Sequence, residues 1–207
     1  MRVAVVGGTG DFGLALAERL AEAGVEVVIG SRDAGRAEEK AREAGAASGA
    51  TNEDAVQGVD LVVLATKAEA ALDTARDLAA AIGSTPVLSV ASELRFAKEG
   101  VFPGDDARSL AERTQDLLEA PVAAGLHSLA ARSLAHGKAD GDALVCGDDA
   151  DAKALALELA AQVVQGRALD AGPLASARAL EGTTAVIVNL NKRYKGHAGL
   201  RVTGLPE

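Results

Sequence analysis

Residues 2–13, RVAVVGGTGDFG, constrain this chain more than any other part of it: a β-branched run, a glycine-rich turn, then the helix-forming stretch LALAERLAEA. The turn carries the spacing GxGxxG as Gly8, Gly10 and Gly13. In a strand–turn–helix unit the first such glycine permits a tight turn, the second lets a ligand approach the backbone, and the third lets helix and strand pack closely. The free N–H groups and positive dipole end of the helix then suit an anion, above all a dinucleotide pyrophosphate. Gly8, Thr9, Gly10, Asp11, Phe12 and Gly13 are therefore the expected phosphate-binding residues. A glycine-rich turn without a ligand is the alternative for the same residues.

Downstream, short β-branched runs alternate with longer Ala/Leu/Glu/Arg segments, the pattern of βαβ units on a parallel sheet. Strands are expected at 2–6, 25–29, 61–65, 87–90, 122–126, 143–146 and 168–171, and helices at 14–23, 34–43, 69–82, 109–118, 150–164 and 174–191. The fold class is thus α/β, a Rossmann-like doubly wound parallel sheet with a small C-terminal α/β extension. Residues 1–145 form the expected cofactor-binding domain and 146–207 a small C-terminal domain closing a cleft. Residues 46–51 have little strand character where such a fold needs a third strand, and 93–106 have no clear period and read as a loop. Ser109 with Glu112 fits a capping box.

The second strand ends in Gly30-Ser31-Arg32, where an enzyme using NAD places an acid to bind the ribose hydroxyls. Ser31 can donate to a 2′-phosphate, Arg32 can pair with it in bidentate fashion, and Arg36 lies one helical turn further on. This pattern favours NADP over NAD. The opposing reading has solvated arginines, with Asp33 on the ribose.

Charge and motifs exclude several function classes. With 21 basic against 30 acidic residues and a formal charge of -9, the chain has no general attraction for nucleic acid or anionic membranes. No apolar run approaches the roughly 18 residues needed to span a bilayer, and the single cysteine, Cys146, permits no internal disulfide. A soluble, cytoplasmic protein is expected. The three histidines His127, His136 and His197 lack zinc-ligand spacing, so no metal is expected; GxSxG is absent, and the one tyrosine, Tyr194, is followed four positions later by Ala198 instead of a lysine. Such thin acid–base equipment suits direct hydride passage between two stacked rings, where geometry supplies most of the rate.

Several separated motifs point further: MRVAVVGGTGDFG with IGSRD, TNEDAV leading to VDLVVLAT, Leu126-His127, VCGDD at 145–149, and LDAGPLASARALE at 169–181. In order and spacing they resemble the NADPH-dependent coenzyme F420 reductases. The resemblance covers essentially the whole chain and implies NADP and the deazaflavin coenzyme F420 as ligands, with hydride transfer between them. It implies a cleft bordered by Ala65 and Thr66 after one strand, Val90, Ala91 and Ser92 after the next, and His127. His127 is expected as the catalytic residue, orienting the ring or stabilising charge on it; a satisfied buried histidine is the alternative. Thr66 is also a candidate N-cap, Asp148 and Asp149 are expected to serve a helix N-terminus, and Cys146 belongs in the core. The chain departs from the family in having Thr66-Lys67-Ala68 where a proline is usual, and in lacking a proline after His127.

Residues 191–201 hold Lys192, Arg193, Lys195 and Arg201 with no acid. They fit an anchor for the phosphodiester and oligoglutamate tail of the coenzyme, a complement to their own helix dipole, or a dimer contact. The apolar character of 174–191 suggests a homodimer. A sensor that binds NADP without catalysis, and an NADPH-dependent reductase of another small substrate, are the competing function classes.

Overall fold

In the computed structural model, which describes residues 1–206, the β-branched runs become strands buried on both faces, as a parallel sheet covered by helices requires. β1 (Arg2–Val6) leads through α1 (Asp11–Glu22) to β2 (Glu26–Ser31), and α2 (Ala34–Ala44) leads to β3 (Ser48–Thr51). Then come α3 (Asn52–Ala55), β4 (Leu61–Leu64), α4 (Ala68–Ile82) and β5 (Val87–Ser89). A hairpin, β6 (Leu94–Ala97) with β7 (Gly100–Pro103), precedes α5 (Leu110–Gln115) and β8 (Val122–Gly125). The chain finishes with α6 (Ala131–Ala135), β9 (Ala143–Gly147), α7 (Ala150–Val163), β10 (Ala168–Asp170), a 3-10 turn at Leu174–Ser176, and α8 (Ala177–Tyr194).

Eight strands form one sheet in the order β10-β9-β8-β5-β4-β1-β2-β3. The order reverses direction at β1, which pairs in parallel with both β2 and β4. Alternate side chains of β1 feed opposite cores. Val3 and Val5 pack with α1, α2 and α7 on one face, and Ala4 and Val6 with α4, α5 and the start of α8 on the other. Within this sheet one pairing is antiparallel, β8 with β9. After β8 the chain stays at the same end of the sheet, where α6 packs on α1, so the next strand must run back. The boundary expected at residue 145 falls inside β9, and β9 and β10 extend the same sheet.

Four elements, the two strands of a hairpin and two single-turn helices, were not expected, and β3 forms where the sequence has little strand character. Residues 48–51 do pair with β2, and Gly49 is needed there because a Cβ would collide with the backbone of Ala37 in α2. Residues 94–103 form the hairpin and not a loop, and Asn189 of α8 holds it: Val101 N–H donates to Asn189 Oδ1 (2.9 Å) and Asn189 Nδ2 donates to Val101 O (2.7 Å). The single-turn helices α3 and α6 are the other two. The capping box at Ser109 and Glu112 forms as expected.

Candidate active site

All the strand ends expected to carry function meet at the carboxyl edge of the sheet, at the reversal of strand order, where ligands of open α/β sheets bind. The turn after β1 is shaped by what a side chain would strike. At Gly8 a Cβ would lie 2.7 Å from Val5 O, and at Gly13 2.6 Å from Gly7 O; at Gly10 the nearest atom is 3.4 Å away, an ordinary contact. Gly8 and Gly13 are thus demanded by the protein's own packing, whereas Gly10 is exposed and keeps clear the surface over the turn. The positive φ of the turn (+78°) belongs to Gly7 and not to Gly8, which corrects the expected division of labour. Gly8 N–H instead donates to Val5 O and Gly30 O (3.1 and 3.2 Å), tying the turn to β2.

Gly10 is the N-cap of α1 and no side chain caps that helix, so first-turn N–H groups stay open for an outside acceptor. Asp11 is exposed beside them, while half-buried Thr9 lies in the turn and half-buried Phe12 packs on the core below. The uncapped start of α1 beside Gly10 suits a phosphate-bearing ligand.

At the end of β2, Ser31 is buried, while Arg32 and Arg36 are exposed and neither lies within ion-pair distance of an acid among the described residues. Asp33 is the N-cap of α2: its Oδ1 accepts from Arg36 N (2.9 Å). Its carboxylate thus serves the helix, and the two guanidinium groups are left for an anion. Beside the ends of β2 and β4, two buried atoms have no partner, Thr66 Oγ1 and Asn52 Oδ1, which lies against Gly30. Thr66 does not cap α4 as expected; the N-cap is Lys67, exposed and without a side-chain cap bond. Ala65 and Thr66 pack on Gly7, and Ala65 N–H donates to Val6 O (2.9 Å). Buried Val90 and Ala91 follow β5, Val90 reaching Leu64 O through its N–H (3.4 Å).

His127 follows β8 and is 5% exposed. Leu126 before it has φ +65°, a left-handed conformation uncommon outside glycine, which turns the chain sharply out of the strand. Burial pushes the imidazole pKa down to about 4, against the pull of the Ala91 carbonyl. The ring is therefore neutral near pH 7. Its Nε2–H donates to Ala91 O (3.3 Å), since a carbonyl can only accept, and buried Nδ1 has no partner. A neutral ring offers no positive charge to a developing anion, and its one N–H is taken up by Ala91 O, a bond that joins the ends of β5 and β8.

One residue of this edge escaped the sequence reading. Thr184 of α8 donates from Oγ1 to His127 O (2.7 Å) and accepts from Ser92 Oγ (2.8 Å). Nothing in the spacing of an 18-residue helix marks that threonine; only the fold brings it to the strand ends.

A profile of the family described as "NADP oxidoreductase coenzyme F420-dependent" matches residues 2–93. A protein of Methanothermobacter thermautotrophicus named F420-dependent NADP reductase is 38% identical, covering 100% of this chain and 97% of its own length. One of the same name from Methanocaldococcus jannaschii is 34% identical over 99% of both. The chain belongs to the F420-dependent NADP reductase family. A solved structure from Arthrobacter sp. fb24, provisionally described as an F420-dependent NADP reductase, superposes with a TM-score of 0.82 at 26% identity and 99% coverage of each chain.

Four side chains of the motifs at 145–149 and 169–181 hold elements together or lie in the core. Asp149 caps α7, accepting from Ala152 N (2.8 Å), whereas Asp148 Oδ1 accepts from Leu174 N (2.9 Å) at the 3-10 turn, so only one of the pair serves α7. The buried Cys146 thiol is pushed up to about 12 by desolvation, which leaves no thiolate to act as a nucleophile. Glu181 is 1% exposed on α8 and accepts from Leu110 N at the start of α5 (2.6 Å).

Proposed function

We propose that this protein transfers a hydride between NADP(H) and the deazaflavin coenzyme F420. The observation that carries the reading is the unpaired Arg32 and Arg36 beside buried Ser31, next to a glycine turn whose outer surface is clear, in a chain alike over its full length to reductases named for both ligands. Gly8 through Gly13 would hold the pyrophosphate, and Ser31, Arg32 and Arg36 the 2′-phosphate. Ala65, Thr66, Val90 and Ala91 would wall the site of the two rings. When both are bound, the nicotinamide and the deazaflavin supply the hydride chemistry themselves. The chain's part is alignment and exclusion of water: the His127–Ala91 bond and the Ser92–Thr184–His127 chain fix the strand ends that form the wall. His127 is thus a positioning residue in this reading.

The test is direct. Purified protein mixed with NADPH and oxidised coenzyme F420 should bleach the visible absorbance of the deazaflavin, with NADH far less effective. Tight NADPH binding without bleaching would replace this reading with a sensor or a reductase of another substrate.

The reading extends to assembly and place. Residues from 146 on close the cleft through α8, which passes the strand ends at Thr184 and runs on beside the hairpin. Val186, Leu190 and Tyr194 are exposed (57%, 40% and 73%), and their spacing of four aligns them on one face of α8. That apolar stripe supports a homodimer. Leu190→Glu is expected to convert a dimer to a monomer by light scattering on a sizing column; an unchanged mass would place the interface elsewhere. Among the described residues no helix is long and apolar enough to cross a membrane, and the lone buried thiol suits the reducing cytoplasm.

A further inference from the structure

Arg178, Glu181 and Thr184 recur every three residues along α8 and are successive neighbours on its surface. All three bear on the stretch that leaves β5. Between β5 and the hairpin lie only Val90, Ala91, Ser92 and Glu93, and the first two wall the proposed ring site. Thr184 holds Ser92 (2.8 Å). Arg178 Nη2 donates to Gly104 O (2.6 Å), and Gly104 N–H donates in turn to Glu93 O (2.7 Å), which closes the base of the hairpin. Glu181 stands one turn from each of these grips. It is 1% exposed, its Oε1 accepts from Leu110 N–H (2.6 Å), and the Glu93 N–H pulls on the same carboxyl.

The charged groups around Glu181 come from three elements. Arg178 stands on α8, Arg113 and Glu112 on α5, and Glu93 and Asp106 on the run between β5 and α5. Arg113 pairs with Glu93 (2.8 Å) and reaches Asp106 (3.5 Å), while Glu112 is committed to the capping box with Ser109. Of this cluster only Glu181 is buried. Burying an ionisable group is costly, and an apolar side chain or an amide would join α5 to α8 without that cost. A carboxyl differs from both in one respect: its charge, and with it its hold on the surrounding N–H groups, changes with pH.

We propose that Glu181 is a positioning residue for hydride transfer, holding Glu93 beside the Thr184–Ser92 bond so that the wall formed by Val90 and Ala91 stays where the two rings meet. This rests on the function proposed above and adds to it a control by pH. The charged carboxylate accepts at both oxygens through charge-assisted bonds, about twice as strong as neutral ones. A proton there sets a donor against N–H groups that need acceptors. The grip is therefore firm above about pH 7, to which burial has raised this carboxyl, and slack below it. A misplacement of about 1 Å at a reacting centre can lower a rate on the order of 100-fold, so a smaller shift of the wall is enough to be measured.

Single-turnover stopped flow with NADPH and oxidised coenzyme F420, followed at the deazaflavin absorbance from about pH 5.5 to about 8.5, reads this step. The ratio of the wild-type rate to that of Glu181→Gln is expected to climb from near 1 to about tenfold across the range. Titration of the coenzyme is common to both proteins. The dissociation constant of NADPH, set at the glycine turn and Arg32 in the proposed reading, stays unchanged. Arg178→Gln removes a positive charge that favours the carboxylate, so its rate should rise at a higher pH than that of the wild type. That shift tests the carboxyl even if Glu181→Gln fails to fold. A carboxyl that only joins α5 to α8 would lower the melting temperature when replaced and leave the ratio level. A level ratio, or a midpoint unmoved in Arg178→Gln, would overturn the positioning role and leave the reductase reading intact. If wild-type protein bleached no coenzyme at any pH, the reductase reading would fall and this role with it.

Discussion

Arg32→Asp is expected to lower the preference for NADPH over NADH by about 100-fold or more, read as the ratio of the two kcat/KM values with coenzyme F420 as the partner. The variant takes away a charge-assisted contact to the 2′-phosphate, of the kind that contributes about 1.5–3 kcal/mol. It also adds a carboxylate facing a dianion. Together these reach the roughly 2.7 kcal/mol that two decades require. The same carboxylate can accept from the ribose hydroxyls of NADH, so activity with NADH should hold or rise. Arg32 is exposed and its side chain makes no hydrogen bond among the described residues, so the melting temperature should barely move and the change reads as recognition. An unaltered ratio would show that this arginine does not meet the phosphate.

How far the sequence foretold this arrangement varied with the range of the interaction. Strands such as β1 and β4 were plain because burial on both faces demands an unbroken β-branched run, and the glycine turn because its spacing is a local requirement. β3 was hard to see because its identity depends on α2: Gly49 weakens the strand signal, yet the closeness of Ala37 demands it. The hairpin was missed because Asn189, 88 residues from Val101, supplies bonds to both its N–H and its C=O. Within the site, Ser31 and Arg32 could be placed from the end of β2 alone. Thr184 could not, and the neutrality of His127 follows from burial that only the packed structure supplies. Thr66 shows the converse: a threonine two residues before a helix looked like a cap, but Lys67 holds that position and the hydroxyl is left without a partner.

The motif that ends in Glu181 carries the second large effect. Glu181→Gln is expected to flatten a pH dependence of stability that the wild-type chain has between about pH 4.5 and 7. Burial raises this carboxyl from 4.5 to about 7, opposed by the N–H groups of Leu110 and Glu93 and by the charges of Arg178 and Arg113. A folded-state pKa above the unfolded one means that the folded protein keeps a proton the unfolded chain has already released. The contribution to stability is thus fully present below the unfolded value, is lost as pH rises through the folded value, and is constant above it. At 1.36 kcal/mol per pKa unit the change is of the order of 3 kcal/mol. Glutamine keeps an acceptor for Leu110 N–H and does not titrate. Groups common to both proteins cancel in the difference. Urea unfolding at pH 4.5, 6 and 7.5 should therefore show the wild-type advantage over the variant shrinking by about that amount across the series. A difference that stays level with pH would mean that Glu181 titrates as an ordinary carboxylate and that its place between α5 and α8 has no such cost.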